Sequence, residues 1–362
     1  MGVVRTWESR RAELEAFRRS LVAAAGIQRR KDDEGGRTHK FVSSYEHDDG
    51  KGTLICVTCG VSYFGLALVN HLLLLGYSLR VTVDNPEDIE KLREMERRGE
   101  VRATEGNLEV IMAKLTDVDG LEKAFQGCRG VFHTSAFTDP AGLSGYTKSM
   151  AEIEVRAAEN VMEACARTPS ITRCVFTSSL SACVWQDNSQ SDFTPVINHA
   201  SWSTESFCIE KKLWYALGKM RAEKAAWRIS NERGLKLTTI CPALITGPEF
   251  CHRNPTATIA YLKGAQEMYS QGFLASVDVT KLAEAHASVF KAMNNEASGR
   301  YICFDHVIDT HSEAEKLAKD IGMPKEKICG DASNNSSIHR FELSNEKLCR
   351  IMSRPLRCYS EY

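Results

Sequence analysis

At 362 residues, 43% hydrophobic and 26% charged, the chain has room for one large or two fused soluble domains around a sizeable core. A formal net charge of −1, with no basic stripe through the body, gives no electrostatic case for nucleic acid. Thirteen cysteines without framework spacing, and no signal-peptide pattern, set the expectation of reduced thiols and a cytoplasmic protein.

The first fifty residues differ from the rest. Trp7, Leu14, Phe17, Leu21 and Ala25 fall near helical spacing with Arg10, Arg11, Arg18 and Arg19 between them. Residues 1–50 therefore read as a basic helical extension and a polar linker, packing on the body or on a second subunit as in a homodimer. The start Gly2-Val3-Val4-Arg5-Thr6 also fits an N-myristoylation pattern. One acyl chain beside a basic helix would give weak, reversible membrane contact. Glu8, Glu13 and Glu15 speak against an organellar transit peptide.

From Thr53 strands and helices alternate. Residues 53–58 predict a buried strand, 64–75 an apolar helix ended by Gly76, and 79–83 the next strand. Residues 128–133, 173–177 and 235–241 predict further buried strands with helical patterns between them. This is α/β: a parallel, doubly wound sheet binding a dinucleotide at the carboxyl ends of its strands. Its expected extent is 51–242, with a smaller substrate-binding region over 243–362. The apolar stretch from Gly65 to Gly76 is interrupted by Asn70 and His71 and is too short to span a membrane.

The loop after the first strand is the expected phosphate cradle, though it departs from a Gly-x-x-Gly-x-x-Gly run. Cys59 and Ser62 stand at two of the glycine positions, Gly60 is displaced by one, and Gly65 alone keeps register, just after Phe64. Cys56-x-x-Cys59 has redox spacing, but it falls where a strand meets this loop. Asp84 ends the second strand, where a carboxylate would accept hydrogen bonds from an adenosine ribose and repel a 2′-phosphate, favouring NAD(H). A plain turn residue in Asp84-Asn85-Pro86 is the alternative. Among the histidines no metal-ligand spacing occurs, and His133, on a strand end, reads as a core or cofactor-loop neighbour. Asn334-Asn335-Ser336 is a glycosylation sequon, without meaning unless the chain is secreted.

Tyr215 and Lys219 lie four apart, one helical turn from each other on the same face. An ammonium there lowers the pKa of the phenol, and a phenol so tuned exchanges a proton with a carbonyl or alcohol. A hydroxyl at a strand's carboxyl end, as at Ser179, is placed to orient a carbonyl, although Ser178 and Ser179 could equally satisfy strand-end backbone groups.

The chain resembles the extended short-chain dehydrogenase/reductases, nearest the plant cinnamoyl-CoA reductase-like branch and the dihydroflavonol reductases. The resemblance runs from about Thr53 onward. It rests on Gly127-Cys128-x-Gly130-Val131-Phe132-His133, Val175-Phe176-Thr177-Ser178-Ser179 and Trp214-Tyr215-x-x-Gly218-Lys219. Ala222-Glu223-Lys224-Ala225-Ala226-Trp227, Ile240-x-Pro242-Ala243-Leu244 and Ser298-Gly299-Arg300-Tyr301 follow in order. It implies a Rossmann fold and an NAD(P)-dependent oxidoreductase acting on the carbonyl or alcohol of a phenylpropanoid-like small molecule. In it Tyr215 is the general acid, Lys219 holds the nicotinamide ribose, Ser179 binds the substrate oxygen, and Pro242 sits beside the nicotinamide. Gly60, Ser62, Phe64, Gly65, Asp84 and His133 complete the implied cofactor contacts.

Some positions depart from the family. Asp84 replaces the Arg of NADP-using members, Lys114 an adenine-binding Asp, and Arg156 the first Asn of an Asn-x-x-x-Asn stretch. Tyr261 and Gly264 stand where a His and a Lys are linked to CoA, so a CoA ester is the weaker substrate expectation. These losses also leave open a dinucleotide-binding scaffold or regulator in place of an enzyme.

Overall fold

A computed structural model describes residues 52–104, 106–134, 146–186, 196–295, 297–330 and 341–352. The expected N-terminal helix, its myristoylation pattern, the linker and the Asn334 sequon lie outside the described residues.

The chain alternates strand and helix as the sequence predicts. The strands are β1 (Leu54–Thr58), β2 (Ser78–Val83), β3 (Leu108–Met112), β4 (Gly130–His133), β5 (Arg173–Thr177), β6 (Val196–Ile197) and β7 (Lys236–Pro242). They continue with β8 (Leu244–Thr246), β9 (Ala275–Asp278), β10 (Gly299–Cys303), β11 (His306–Val307) and β12 (Glu342–Leu343). The helices that build the site are α1 (Tyr63–Leu74), α2 (Pro86–Arg97), α3 (Val118–Phe125), α4 (Lys148–Arg167), α5 (Trp214–Arg233), α6 (Pro255–Tyr261) and α7 (Val279–Ala292).

Seven strands form one parallel sheet in the order β10-β7-β5-β4-β1-β2-β3. Its central strands β1, β4 and β5 are buried on both faces, so they read as continuous apolar runs rather than alternating ones. Side chains still alternate between the faces. Ile55, Val57, Phe132 and Val175 pack with α1 and α7 through Leu68, Leu72 and Phe290. Cys56, Val131, Cys174 and Phe176 pack with α4 and α5 through Val161, Met162, Ala222 and Ala226. Strand order reverses between β1 and β4, and that reversal opens a crevice at the carboxyl edge.

The chain crosses back over the 242/243 boundary: β10 comes from beyond it, yet pairs with β7 at the edge of the main sheet. Residues 243–274 leave the sheet to form β8, α6 and short helices, and β8 pairs with β9 in a small separate sheet. A second core under this lobe gathers Trp185, Leu217, Phe273, Leu274 and Phe304.

Candidate active site

The site lies at the carboxyl edge of the sheet, where the ends of β1, β2, β4, β5 and β7 meet α5 and α6. The loop after β1 is built despite its missing glycines. Cys59 adopts φ 54°, the left-handed conformation that a glycine takes at no steric cost, and its carbonyl accepts the Ser62 N–H at 3.0 Å. Ser62 then caps α1, its hydroxyl accepting the Gly65 N–H at 3.0 Å. A Cβ at Gly65 would meet the Cys59 carbonyl, lie 2.7 Å from Ser62 Oγ and 2.8 Å from Gly60 Cα. Gly60 serves packing instead, since a Cβ there would strike Val81 at 2.7 Å. The turn and the close approach survive, which suits a pyrophosphate at the helix N-terminus.

At the end of β2 both Asp84 and Asn85 sit in the bend, and the helix cap falls to Asn85. Asn85 caps α2 by accepting the Asp88 N–H at 2.8 Å. Asp84 is exposed and accepts a backbone bond from Leu115. Partial burial and Asp88 raise its pKa, against Leu115 and Lys114.

His133 ends β4 at 2% exposure, with Nδ1 2.9 Å from the Thr58 hydroxyl and its ring 5.0 Å from that of Phe176. Burial, then the Lys219 cation, push its pKa down to about 3, so it is a neutral structural group beside the cofactor loop. After β5, Ser178 lines the cavity but its hydroxyl donates to the buried Glu223 carboxylate at 2.6 Å. Ser179 is within hydrogen-bonding reach of Tyr215, and it accepts from the Ser181 hydroxyl at 2.9 Å.

Tyr215 and Lys219 share the first turns of α5, with Lys219 Nζ 5.8 Å from the Tyr215 ring centre. Gly218 between them lets α4 approach, because a Cβ there would lie 3.0 Å from Ala151. The expectation that Lys219 holds the phenol below its ordinary pKa is corrected. Burial raises the Tyr215 pKa by more than Lys219 lowers it, and Glu154 raises it further while Ser179 opposes. The reason is a partner absent from the sequence reading: Glu154 on α4 forms a buried ion pair with Lys219 at 2.6 Å. Burial alone would pull Lys219 down, but Glu154, Tyr215 and Cys59 hold its pKa above the usual lysine value. Arg156, flagged from sequence, is exposed on the same helix, and Asn160 bonds the Leu115 carbonyl at 2.9 Å.

Ser62, Phe64, Ser179, Tyr215, Lys219 and Pro242 converge on one cavity of about 110 Å³. Thr258 Oγ1, buried on α6, lines the same cavity and finds no hydrogen-bond partner among the described residues. A buried orphan hydroxyl in a binding cavity is a place for a ligand's polar group. Tyr215 and Tyr261 also line an adjoining cavity of about 590 Å³, walled by Trp185, Leu213 and Ile259 with Lys263 and Lys327 at its edge. The cradle at Gly65, the acidic end of β2 and the unpartnered Thr258 are features that fit a nicotinamide dinucleotide in the crevice.

Sequence reasoning also missed what joins two of its own marks. Glu223 and Arg300 form an ion pair at 2.7 Å, 0% and 7% exposed, directly beneath the Ser178-Ser179 turn.

The chain is similar over most of its length to known proteins. A model of the 3-beta hydroxysteroid dehydrogenase/isomerase family matches residues 56–329. The chain is 35% identical over 305 residues to cinnamoyl-CoA reductase 1 of Petunia hybrida, covering 82% of this chain and 86% of that one. It is 30% identical over 309 residues to anthocyanidin reductase of Arabidopsis thaliana, covering 81% and 87%. Among solved structures, vestitone reductase from alfalfa superposes with a TM-score of 0.59 at 22% identity over 82% of this chain and 91% of that one. Yeast methylglyoxal/isovaleraldehyde reductase Gre2, complexed with NADPH, gives 0.63 at 18% identity over 85% and 95%. The two structures share the fold.

Proposed function

The chain belongs to the 3-beta hydroxysteroid dehydrogenase/isomerase family of extended short-chain dehydrogenase/reductases, and on that footing we propose how its site works. It is an NAD(P)-dependent reductase that converts the carbonyl of a phenylpropanoid-like small molecule to an alcohol. The observation that carries the reading is the convergence of Ser179, Tyr215 and Lys219 on one cavity at the sheet's carboxyl edge. A scaffold without chemistry has no use for that convergence.

A bound nicotinamide cofactor supplies the hydride. Everything else is done by the chain's own groups. Ser179 and Tyr215 both point hydroxyls at the substrate oxygen, which fixes the carbonyl and stabilises the charge that develops on it. Tyr215 gives its proton to that oxygen as the carbonyl carbon is reduced, leaving a phenolate that is reprotonated after turnover. Lys219 would hold the ribose side of a bound cofactor, and the Cys59–Gly65 turn with the N-terminus of α1 would hold its pyrophosphate.

Asp84 favours NAD(H) over NADP(H). Because Asn85 does the capping, the Asp84 carboxylate is left to accept from a ribose diol, and a 2′-phosphate would meet its charge. For the substrate, aromatic walls from Trp185, Tyr215 and Tyr261 suit a phenyl ring, and the cavity of about 590 Å³ is of ordinary small-molecule size. Lys263 donates to the Lys212 carbonyl at 2.6 Å, so it is occupied within the fold rather than reserved for a CoA phosphate. We therefore favour an aldehyde or ketone over a CoA ester.

Calorimetric titration with NADH, NADPH, NAD⁺ and NADP⁺, followed by turnover of hydroxycinnamoyl aldehydes, ketones and CoA esters, tests the reading. Tight binding of one cofactor and reduction of a carbonyl is the expected outcome. Binding of none would refute the enzyme and restore the scaffold.

A further inference from the structure

The buried carboxylate of Glu154 takes no part in the chemistry above, yet it touches the group that does. It is 4% exposed, with one oxygen 2.6 Å from Lys219 Nζ, itself 3% exposed. Its other oxygen accepts the Tyr146 hydroxyl, and the Tyr146 ring meets that of Tyr215 edge-on at 5.3 Å. Placing two charges and a phenol in so dry a position is costly unless they are paired, and here each is. From a few ångströms away a close ion pair acts as a dipole, not as a cation. The field that a lone ammonium would exert on Tyr215 is thus largely cancelled by the carboxylate behind it.

We propose that Glu154 is a positioning residue: by pairing with Lys219 inside the fold it offsets the cation and adds to the burial that keeps Tyr215 a neutral phenol, and so biases the site toward carbonyl reduction over alcohol oxidation. The chemistry fixes that direction. Reduction adds a hydride from the cofactor to carbon and a proton from the phenol to oxygen. Oxidation runs the other way and needs a phenolate to receive the proton. A site that suppresses the phenolate at neutral pH is a kinetic reductase. The inference rests on the reading of Tyr215 as proton donor.

The groups that face Tyr215 and Lys219 come from several elements: Tyr146 just before α4, Glu154 on α4, Cys59 in the turn after β1, His133 on β4, Ser179 after β5 and Tyr261 on α6. Glu154 is the carboxylate among them. His133 is neutral near pH 7 because its pKa lies at about 3, and burial, then Tyr215 and Cys183, hold the Tyr261 phenol far above its usual value. The charge balance around the reacting phenol is therefore set by Glu154 against Lys219.

The test reads Tyr215 without turnover, as the near-ultraviolet phenolate absorbance that the full-length protein has and Tyr215→Phe lacks. Glu154→Gln keeps an oxygen for the Lys219 ammonium and removes the charge. The Tyr215 midpoint should then fall by about one to two pH units. The alkaline limb of kcat/KM for reduction should fall with it, since the donor is lost once ionised. Glu154→Asp, its charge one methylene further away, should move the midpoint in the same direction by less, and it carries the test if Glu154→Gln does not fold. A midpoint unchanged or raised in these variants overturns the proposal. Wild-type protein that reduces no carbonyl with either cofactor would instead sink the proposed function, while the titration would still decide the role of Glu154.

Discussion

Replacing Glu223 with Gln should unsettle the floor of the active site more than any surface change. The Glu223 carboxylate, fully buried, accepts from Arg300 Nε at 2.7 Å, Arg300 Nη2 at 3.2 Å, Ser178 Oγ at 2.6 Å and Thr239 Oγ1 at 2.5 Å. Arg300 also lies 3.5 Å above the Trp202 ring and donates to the carbonyls of His199 and Ser201. One carboxylate thus ties α5 to the end of β5, to β7 and to β10. Neutralising it leaves a guanidinium at 7% exposure without its counter-charge. Breaking one side of a buried pair costs about 3–5 kcal/mol, a large fraction of the ~5–15 kcal/mol of a whole domain. Urea unfolding followed by tryptophan fluorescence measures the loss. Glu223→Leu combined with Arg300→Met should lose less than Glu223→Gln alone, because the orphan charge goes too. A loss below about 1 kcal/mol in Glu223→Gln, as for an exposed pair, would refute the account of a desolvated, site-supporting pair.

Tyr215→Phe should abolish turnover with cofactor affinity in calorimetry nearly unchanged; retained turnover would remove Tyr215 as proton donor. Asp84→Arg should shift the NADPH/NADH preference by about 10- to 100-fold, the worth of one or two charge-assisted bonds, and an unmoved ratio would show that Asp84 does not read the ribose. Gly65→Ala should weaken cofactor binding sharply and cost about 1–3 kcal/mol of stability, since its Cβ meets backbone that cannot step aside. Acid should also destabilise the fold through His133 and His286, whose buried rings have pKa values of about 3 and about 4. Folded values below the unfolded ~6.5 mean that this stability is full above pH ~6.5 and is lost as pH falls toward those values, by up to about 1.4 kcal/mol per unit for each ring. Urea unfolding at stepped pH should show that slope, and His286→Gln should reduce it.

Much of this was legible in the sequence because local pattern and tertiary role coincide. The doubly buried strands read as unbroken apolar runs, and β5 falls on the residues its pattern marked. Tyr215 and Lys219 were found because a helix forces residues four apart onto one face. The segments from about Trp185 through Ala275 that lie outside α5 and β7 stayed illegible for the opposite reason. Their helices are short, such as Phe250–Arg253 and Ala265–Gln271, and are held by long-range packing on Trp185 and Phe304 rather than by their own periodicity. The ion pairs Glu154–Lys219 and Glu223–Arg300 were hidden too, since the partners lie 65 and 77 residues apart (219 − 154 and 300 − 223) and only the fold brings them together.

The cofactor loop shows why a motif search undervalues this chain. What a dinucleotide needs at that turn is a backbone shape, and glycine is the least strained means to it. Cys59 reaches the same left-handed conformation at φ 54°, at a steric cost of order 1–2 kcal/mol that the surrounding turn must offset. Gly65 remains because there the obstacle is contact with neighbouring backbone, which no L side chain avoids. Loss of a glycine where φ alone matters is tolerable; loss where a Cβ would collide is not. Cys59→Gly and Gly65→Ala therefore make a matched pair. The first should leave cofactor affinity equal or better, and the second should damage it. Equal damage from both would show that Cys59 holds the loop by its side chain and not by its backbone angle.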